Sequence, residues 1–430
     1  MKIRVPGDKS ISQRGLILSS LAEGESRISG LLPGGDPAST AGALRRLGVA
    51  IPPVSEWGDE IRVTGLGLRG LVAPADPLDL ENSGTGARLL MGVLAGQPFE
   101  AVVTGDSSLR KRPMKRITQP LSRMGAAFQS LEEEDRLPIL VRGGALTDLD
   151  YVLPVASAQV KSSLLLAGLV GGSSISLREP GRSRDHTERM FQAAGVQISS
   201  APDPAGWSVS LQNPVSRLNP LELEVPGDFS SGAFFLLWGL LHKREEPLIL
   251  EGIGLNETRT ALLPVLRRMG GRVVIEELRG EGQGEPMGEL VVSSSELVGT
   301  EVGADEIPGM IDEVPILAVG ASQAEGRTII TGARELRVKE TDRIQALVAN
   351  FRALGVEVEE REDGLEIQGS DAPLEGRGQS CGDHRIAMAF GILGSLPGNR
   401  IQIDNPGVVD VSFPGFWELL EELKRTDDDR

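Results

Sequence analysis

Four regions of this chain gather cations beside hydroxyls and glycines. DKSISQR carries Lys9, Ser10 and Arg14; ENSGTGAR and the following GDSSLRKRPMKR carry Arg88, Arg110, Lys111 and Arg112. ELRVKETDR carries Lys339, Glu340 and Arg343, and GDHR carries His384 and Arg385, while EPGRSRDHTER adds Arg182 and Arg184. The planar fork of arginine suits a bidentate grip on phosphate or carboxylate. Carboxylates occur in the same set: Asp312 and Glu313 in IPGMIDEVP, and Glu340 between Lys339 and Arg343. Carboxylates tuned by nearby charge serve general acid–base chemistry; they serve equally as ion-pair partners for the cations. The chemistry indicated is binding of more than one anionic group, with proton transfer beside them.

These residues precede apolar runs of helical length. Six times a polar, Gly/Ser/Asp-rich stretch leads into such a run: from Val5, Glu81, Leu153, Val225, Ile307 and Cys381. Helix N-termini carry unpaired N–H groups and partial positive charge, and bind anions when left open. Most of the Ser and Asp residues there serve as caps. A second element keeps step: ALRRLGVAI, PLSRMGAAF, MFQAAGVQI, VLRRMGGRVVI and FRALGVEVE each read as a surface helix, a stopping glycine and a β-prone run. The sixth copy, FWELLEELKR, has no such run after it. The unit is a buried helix, strands, a surface helix and a strand, three units to each half. VPGD opens both halves, at Val5–Asp8 and Val225–Asp228, but only the first copy continues into Lys-Ser. GEGQGEP near Gly280 reads as a turn, LEEEDR as a solvated tip and TDDDR as a frayed tail.

The formal net charge of -17 and 3% aromatic content disfavour nucleic-acid binding, which needs a basic face and stacking platforms. No apolar run reaches the length of a membrane span. The start MKIRVPGDKS has no apolar signal region, so a cytoplasmic location is expected. The single cysteine, Cys381, excludes an intramolecular disulfide and reads as inert packing. The histidines His186, His242 and His384 show no metal-binding spacing. There is no Walker P-loop, no Gly-x-Gly-x-x-Gly after a first strand and no Gly-x-Ser-x-Gly elbow.

The ordered set PGDKSIS-x-R, NSGTGAR, GDSSL-x-KRPM, SAQVKS, RDHTE, MIDE-x-P, ELRVKE-x-DR, DHRIAM and SFPGF resembles the EPSP synthase (3-phosphoshikimate 1-carboxyvinyltransferase) family, from Val5 to Phe416. The resemblance implies an α/β (α+β) fold of two similar domains, each of three βαβαββ units around buried parallel helices, an inside-out α/β barrel with six repeats in total. It places the first domain at 8–225 and the second at 1–7 plus 226–430, with hinge crossings near 5–8 and 224–228. It implies transfer of the carboxyvinyl group of phosphoenolpyruvate to the 5-hydroxyl of shikimate 3-phosphate, releasing phosphate, in the pathway to chorismate and aromatic amino acids. It implies no metal and no organic cofactor, small anionic substrates, and a monomer that closes on its substrates.

By the same resemblance, Lys9, Ser10, Arg14, Ser157, Ala158, Gln159, Arg184, Asp312 and Lys339 bind shikimate 3-phosphate. Lys9, Gly84, Arg112, Gln159, Arg343 and Arg385 bind phosphoenolpyruvate. Asp312 is the base toward the 5-hydroxyl, and Glu340 with Lys9 supplies the proton to the enol carbon. Two positions depart from the pattern: Gln13 stands where His is common, and Gly407 lies where some members place a substrate-binding Lys. Gly84 is small where glyphosate-tolerant members carry a larger residue, so glyphosate inhibition is expected. Two alternatives are a UDP-N-acetylglucosamine enolpyruvyl transferase, disfavoured because GDSSLRKRPM lacks the Cys of that loop, and a non-catalytic anion-binding protein, which leaves Asp312 and Glu340 unexplained.

Overall fold

The computed structural model describes residues 1–212, 216–280 and 284–428. Among them are twelve α-helices: α1 (Lys9–Leu21), α2 (Gly35–Arg46), α3 (Gly84–Ala95), α4 (Lys115–Arg123), α5 (Ala158–Gly171), α6 (His186–Ala193), α7 (Phe229–Leu241), α8 (Leu262–Arg268), α9 (Val314–Ser322), α10 (Arg343–Ala353), α11 (His384–Ser395) and α12 (Phe416–Asp428). The odd-numbered six are the apolar runs of the sequence, and each is buried along most of its length. Asp8 caps α1 by accepting from Ile11 N at 2.8 Å, and Asp228 caps α7 by accepting from Ser230 N at 2.8 Å. The repeated VPGD thus does the same work twice, leaving the next residues inside the first turn. All five stopping glycines are left-handed, from φ 82 at Gly355 to φ 113 at Gly125.

The even-numbered helices alternate with strands. In one repeat the strand Leu78–Asp79 precedes α3, Glu100–Thr104 follows it, and α4 leads to the hairpin Ala127–Ser130/Ile139–Arg142. The first two strands pair in parallel, while Ile139–Arg142 pairs antiparallel with both Glu100–Thr104 and Ala127–Ser130. The same four-strand order recurs in three other sheets. The first repeat has three strands (Glu222–Glu224, Glu23–Ser29, Glu60–Leu66) and the last has two (Glu375–Gly378, Arg400–Ile403). The expected strand after Gly48 does not form: Val49–Ile51 runs into Pro52 and Pro53, which have no N–H for a ladder.

The chain divides into two compact units. The N-terminal unit is Gly7–Val225 together with the described residues Gly284 and Glu285; the C-terminal unit is Met1–Pro6 with 226–281 and Pro286–Arg430. In the N-terminal unit α3 packs against α1 and α5 over a continuous apolar core. In the C-terminal unit α7, α9 and α11 pack on one another, with Phe229, Phe234, Phe235 and Trp238 inside. Full burial of such a side chain contributes roughly 1.5–3 kcal/mol. The helices fill the interior, so their N-terminal turns, with the polar residues, are what each unit can present to a ligand.

Each unit borrows a strand across the sequence. Lys2–Ile3 pairs in parallel with Leu248–Gly254 in the C-terminal unit, and Glu222–Glu224 pairs in parallel with Glu23–Ser29 in the N-terminal unit. The chain passes between units at Pro6–Gly7 and at Val225–Pro226. At Gly7 a Cβ would lie 1.9 Å from the Gly30 carbonyl oxygen, so no other residue fits. Part of the GEGQGEP turn, 281–283, lies outside the described residues. At the C-terminus α12 continues through Asp428, where a frayed tail was expected, and 429–430 lie outside the described residues.

Candidate functional site

In the N-terminal unit Lys9 opens α1, and its ammonium lies 3.1 Å from Asp36 Oδ2. One and a half turns on, Arg14 is only 4% exposed. Its Nε donates to Thr187 Oγ1 at 2.9 Å, Nη1 to Ser10 O at 3.0 Å and Nη2 to Ser162 Oγ at 3.0 Å. Thr187 Oγ1 in turn donates to Ser162 Oγ at 2.7 Å. A guanidinium has five N–H groups, so Arg14 keeps at most two for a ligand. Burial, with repulsion from Arg184, lowers its pKa to about 10, against the pull of Asp8, Glu188 and Glu285. Arg14 and Arg184 therefore share one field, which an anion would relieve.

Gly84 and Gln159 occupy the starts of α3 and α5. Ser83 caps α3 by accepting from Gly86 N at 3.0 Å, and itself donates to Gln13 Oε1 at 3.2 Å. Gln13, the departure noted in the sequence, is thus fully buried as support for this cap. A Cβ at Gly84 would lie 3.1 Å from Arg112 Nη1 and 3.3 Å from Arg88 Nη1, so the missing side chain leaves room where two guanidiniums meet a helix N-terminus. Arg112 is braced by Asn82 Oδ1 at 2.6 Å, and Arg88 donates to Gln159 Oε1 at 2.5 Å. Gln159 Nε2 donates to Thr85 Oγ1 at 3.0 Å. Ser157 is the N-cap residue of α5 but makes no side-chain capping bond, and Ala158 follows it, so the first N–H groups of this helix have no side-chain cap.

In the C-terminal unit Arg343 gathers the site. It is 1% exposed and meets three carboxylates. Nε lies 2.7 Å from Asp383 Oδ2, Nη2 lies 2.7 Å from Glu340 Oε2, and Nη1 lies 3.4 Å from Asp312 Oδ1. Burial alone would lower the pKa of Arg343; Asp383, Glu340 and Asp312 outweigh it and hold the pKa above its ordinary value. Arg385 Nε lies 3.7 Å from the same Asp312 oxygen, and its Nη1 donates to Asp312 O at 3.4 Å. Asp383 is the anchor: it also caps α11, accepting from Arg385 N at 2.8 Å. Lys339 ends the short 3-10 turn Arg334–Val338 and is half-buried beside Glu340. Two carboxylates, Asp312 and Glu340, therefore share one guanidinium.

Glu313, adjacent to Asp312 in sequence, is a different case. It is buried, accepts from Ser230 Oγ, and belongs to a polar cluster with Arg259, whose Nη2 donates to Ser230 Oγ at 2.7 Å. Asp36, Asn82, Asp383, Ser162 and Thr187 are not among the candidate residues of the sequence motifs. Asp383 alone carried a local signal, as the Asp of a cap before an apolar run; the others reach their partners through the fold. Cys381 is exposed rather than packed, and partial burial with Asp404 and Asp383 pushes its thiol pKa up, which weakens it as a nucleophile. Gly407 lies exposed in the turn Pro406–Val411. Among the described residues no His, Cys, Asp and Glu cluster could hold a metal ion, and no helix is long and apolar enough to cross a membrane.

The chain matches the family model described as EPSP synthase (3-phosphoshikimate 1-carboxyvinyltransferase) over residues 1–420. A 3-phosphoshikimate 1-carboxyvinyltransferase of Alkaliphilus metalliredigens is 47% identical over 429 residues, 99% of this chain and 97% of the relative. One of Geobacter metallireducens is 45% identical over 422 residues, 98% of this chain and 96% of the relative. Among solved structures, an EPSP synthase of Acinetobacter baumannii is similar with a TM-score of 0.84 and 40% identity, over 98% of this chain and 95% of that one. The enolpyruvyl transferase NikO of Streptomyces tendae, 18% identical with a TM-score of 0.75 over 98% of this chain and 94% of that one, shares the fold.

Proposed function

The chain belongs to the EPSP synthase (3-phosphoshikimate 1-carboxyvinyltransferase) family, and from that membership we propose how its residues divide the reaction. The activity is transfer of the carboxyvinyl group of phosphoenolpyruvate to the 5-hydroxyl of shikimate 3-phosphate, with release of phosphate. The observation that carries the proposed division is the pair of carboxylates on Arg343: Asp312 at 3.4 Å and Glu340 at 2.7 Å.

Bond-making between the 5-hydroxyl oxygen and carbon 2 of the enol requires two proton movements. The hydroxyl loses its proton, and carbon 3 gains one. Asp312, held between Arg343 and Arg385, is the base. Glu340, with Lys9, is the donor. Both N–H groups of Arg343 Nη2 are taken, one by Glu340 and one by Asp383 Oδ1 at 3.3 Å, and Asp383 is also tied to Nε, so an anion that claims Nη2 takes the place of Glu340. Phosphoenolpyruvate therefore displaces Glu340, and a carboxylate that loses its cation takes up a proton more readily. That sequence arms the donor when substrate arrives. Release of phosphate and removal of a proton from carbon 3 then restore the carbon–carbon double bond, so atoms and charge balance without any cofactor.

Arg112, Arg343 and Arg385, with Gly84, Lys9 and Gln159, grip phosphoenolpyruvate. Ser10, Arg14, Ser157, Ala158, Gln159, Arg184 and Lys339, with Lys9 and Asp312, hold shikimate 3-phosphate. Arginines neutralise the anions and fix the reactants in attack geometry. We further infer a monomer acting in the cytoplasm, on the family resemblance of the sequence. Phosphate release from phosphoenolpyruvate tests the activity. It is expected with shikimate 3-phosphate and absent with UDP-N-acetylglucosamine; release with the UDP-sugar alone would overturn the reading.

A further inference from the structure

His186 is the first residue of α6, and its Nδ1 lies 2.7 Å from Glu285 Oε1 although 99 positions separate them. Both side chains are 2% exposed. Glu285 follows Gly284, and this short piece of the 280s loop is part of the N-terminal unit. Arg189 holds it there, donating from Nη1 to Gly284 O at 3.2 Å while its Nε bonds Asp185 Oδ1 at 3.0 Å. A carboxylate only accepts, so Nδ1–H donates to Glu285 and the ring orientation is fixed. The other ring nitrogen, Nε2, is buried with no hydrogen-bond partner. A buried polar atom left unmade costs about 1–3 kcal/mol, so a partner for Nε2 would be stabilising.

The surroundings indicate what would complete it. The neighbour of His186, Thr187, receives the Arg14 Nε bond at 2.9 Å. Glu285 and Arg184 both act electrostatically on Arg14, in opposite directions. His186, Arg14 and Arg184 thus form one group around the start of α6. Cations and an unfilled ring nitrogen at a helix N-terminus suit a phosphate oxygen.

We propose that Glu285 is a positioning residue for shikimate 3-phosphate: it holds His186 so that Nε2 binds the 3-phosphate beside Arg184. The inference rests on the proposed function above, since it presumes that a sugar-acid phosphate occupies this unit. With phosphate bound, Nε2–H donates to a phosphate oxygen, and the Glu285 carboxylate balances the charge of the doubly protonated ring. Shikimate without its phosphate makes no use of this contact. Replacing Glu285 with Gln keeps the shape and removes the charge that sustains the donor.

The experiment measures dissociation constants of shikimate 3-phosphate and of shikimate, and the KM of phosphoenolpyruvate, for the wild-type chain, E285Q, H186Q and the double variant. E285Q is expected to weaken shikimate 3-phosphate about tenfold, the loss of one charge-assisted hydrogen bond. Shikimate affinity and the KM of phosphoenolpyruvate stay within twofold. Gln at 186 carries its own amide donor, so the Glu285 substitution costs little in that background. Unchanged affinity for shikimate 3-phosphate in E285Q would overturn the proposal. So would equal weakening of shikimate and its phosphate, or simple additivity in the double variant. A wild-type chain that binds no shikimate 3-phosphate would instead overturn the functional reading itself.

Discussion

Lys161→Met removes the one cation from a buried triad that underlies the starts of α5 and α6. Lys161 Nζ lies 3.0 Å from Glu179 Oε1 and 2.8 Å from Glu188 Oε1, and the three side chains are 0%, 1% and 3% exposed. Its third bond, to Ser183 O at 3.2 Å, fixes the loop before Arg184. One cation faces two carboxylates. Burial pushes the Glu188 pKa up against the opposing pull of Lys161, while Glu188 and Glu179 together overcome burial and raise that of Lys161. The signs follow. An acid raised in the fold binds a proton that the unfolded chain has released, so stability falls as pH climbs from 4.5 toward the folded value of Glu188. A base raised in the fold contributes fully below 10.5, and its contribution is lost as pH climbs through the folded value of Lys161. In the variant both buried carboxyls lose the cation that opposes the cost of their burial. Breaking a buried pair by removing one partner costs roughly 3–5 kcal/mol, and a buried carboxyl without its cation costs more as pH rises above its ordinary range. At about 2–4 °C per kcal/mol for a unit of this size, calorimetry should show the N-terminal unit melting about 10 °C below wild type at pH 8 and close to it at pH 5. Equal loss at the two pH values would refute the reasoning, and so would a variant as stable as wild type at pH 8.

Two further outcomes test the chemistry. Glu340→Gln should suppress exchange of the methylene protons of phosphoenolpyruvate with solvent, read by deuterium incorporation during turnover; exchange at the wild-type rate would remove Glu340 as the donor. Glyphosate should compete with phosphoenolpyruvate in the wild-type chain. Gly84→Ala should raise the glyphosate inhibition constant at least about tenfold, because the added carbon would sit 3.1 Å from Arg112 Nη1 and 3.3 Å from Arg88 Nη1. Steady-state inhibition curves decide it, and an inhibition constant unmoved by the added carbon would sink the steric account.

The repeat was legible because its signals are local. The apolar runs from Val5 to Cys381 became α1, α3, α5, α7, α9 and α11, and the Asp residues of both VPGD copies became caps. The strand expected after Gly48 failed on local chemistry too, at Pro52–Pro53. What stayed hidden are pairings that only the fold creates. Lys161 reads as a polar interruption in AQVKSSLLL, and nothing in those letters announces Glu179 and Glu188. Arg14 reads as a ligand-binding cation, whereas most of its donors serve Ser10, Ser162 and Thr187. Arg343 and Asp383 lie 40 positions apart, and Glu285 lies in what looked like a plain turn. Cap and stop residues act over a few positions; charge pairing acts over distance in space, which a linear pattern does not encode.

The two long-range strand pairings also set an order for assembly during synthesis. Once Glu224 has left the ribosome, the N-terminal unit has every strand of its three sheets, the last of them Glu222–Glu224. Lys2–Ile3, made long before, still has no partner until Leu248–Gly254 appears. These first residues must therefore wait, unpaired, while a whole unit folds beside them. A short deletion or an obstructive fusion before Val5 would accordingly spare the unit that follows it in sequence. It would injure instead the unit completed last, which carries Asp312, Glu340 and Arg343.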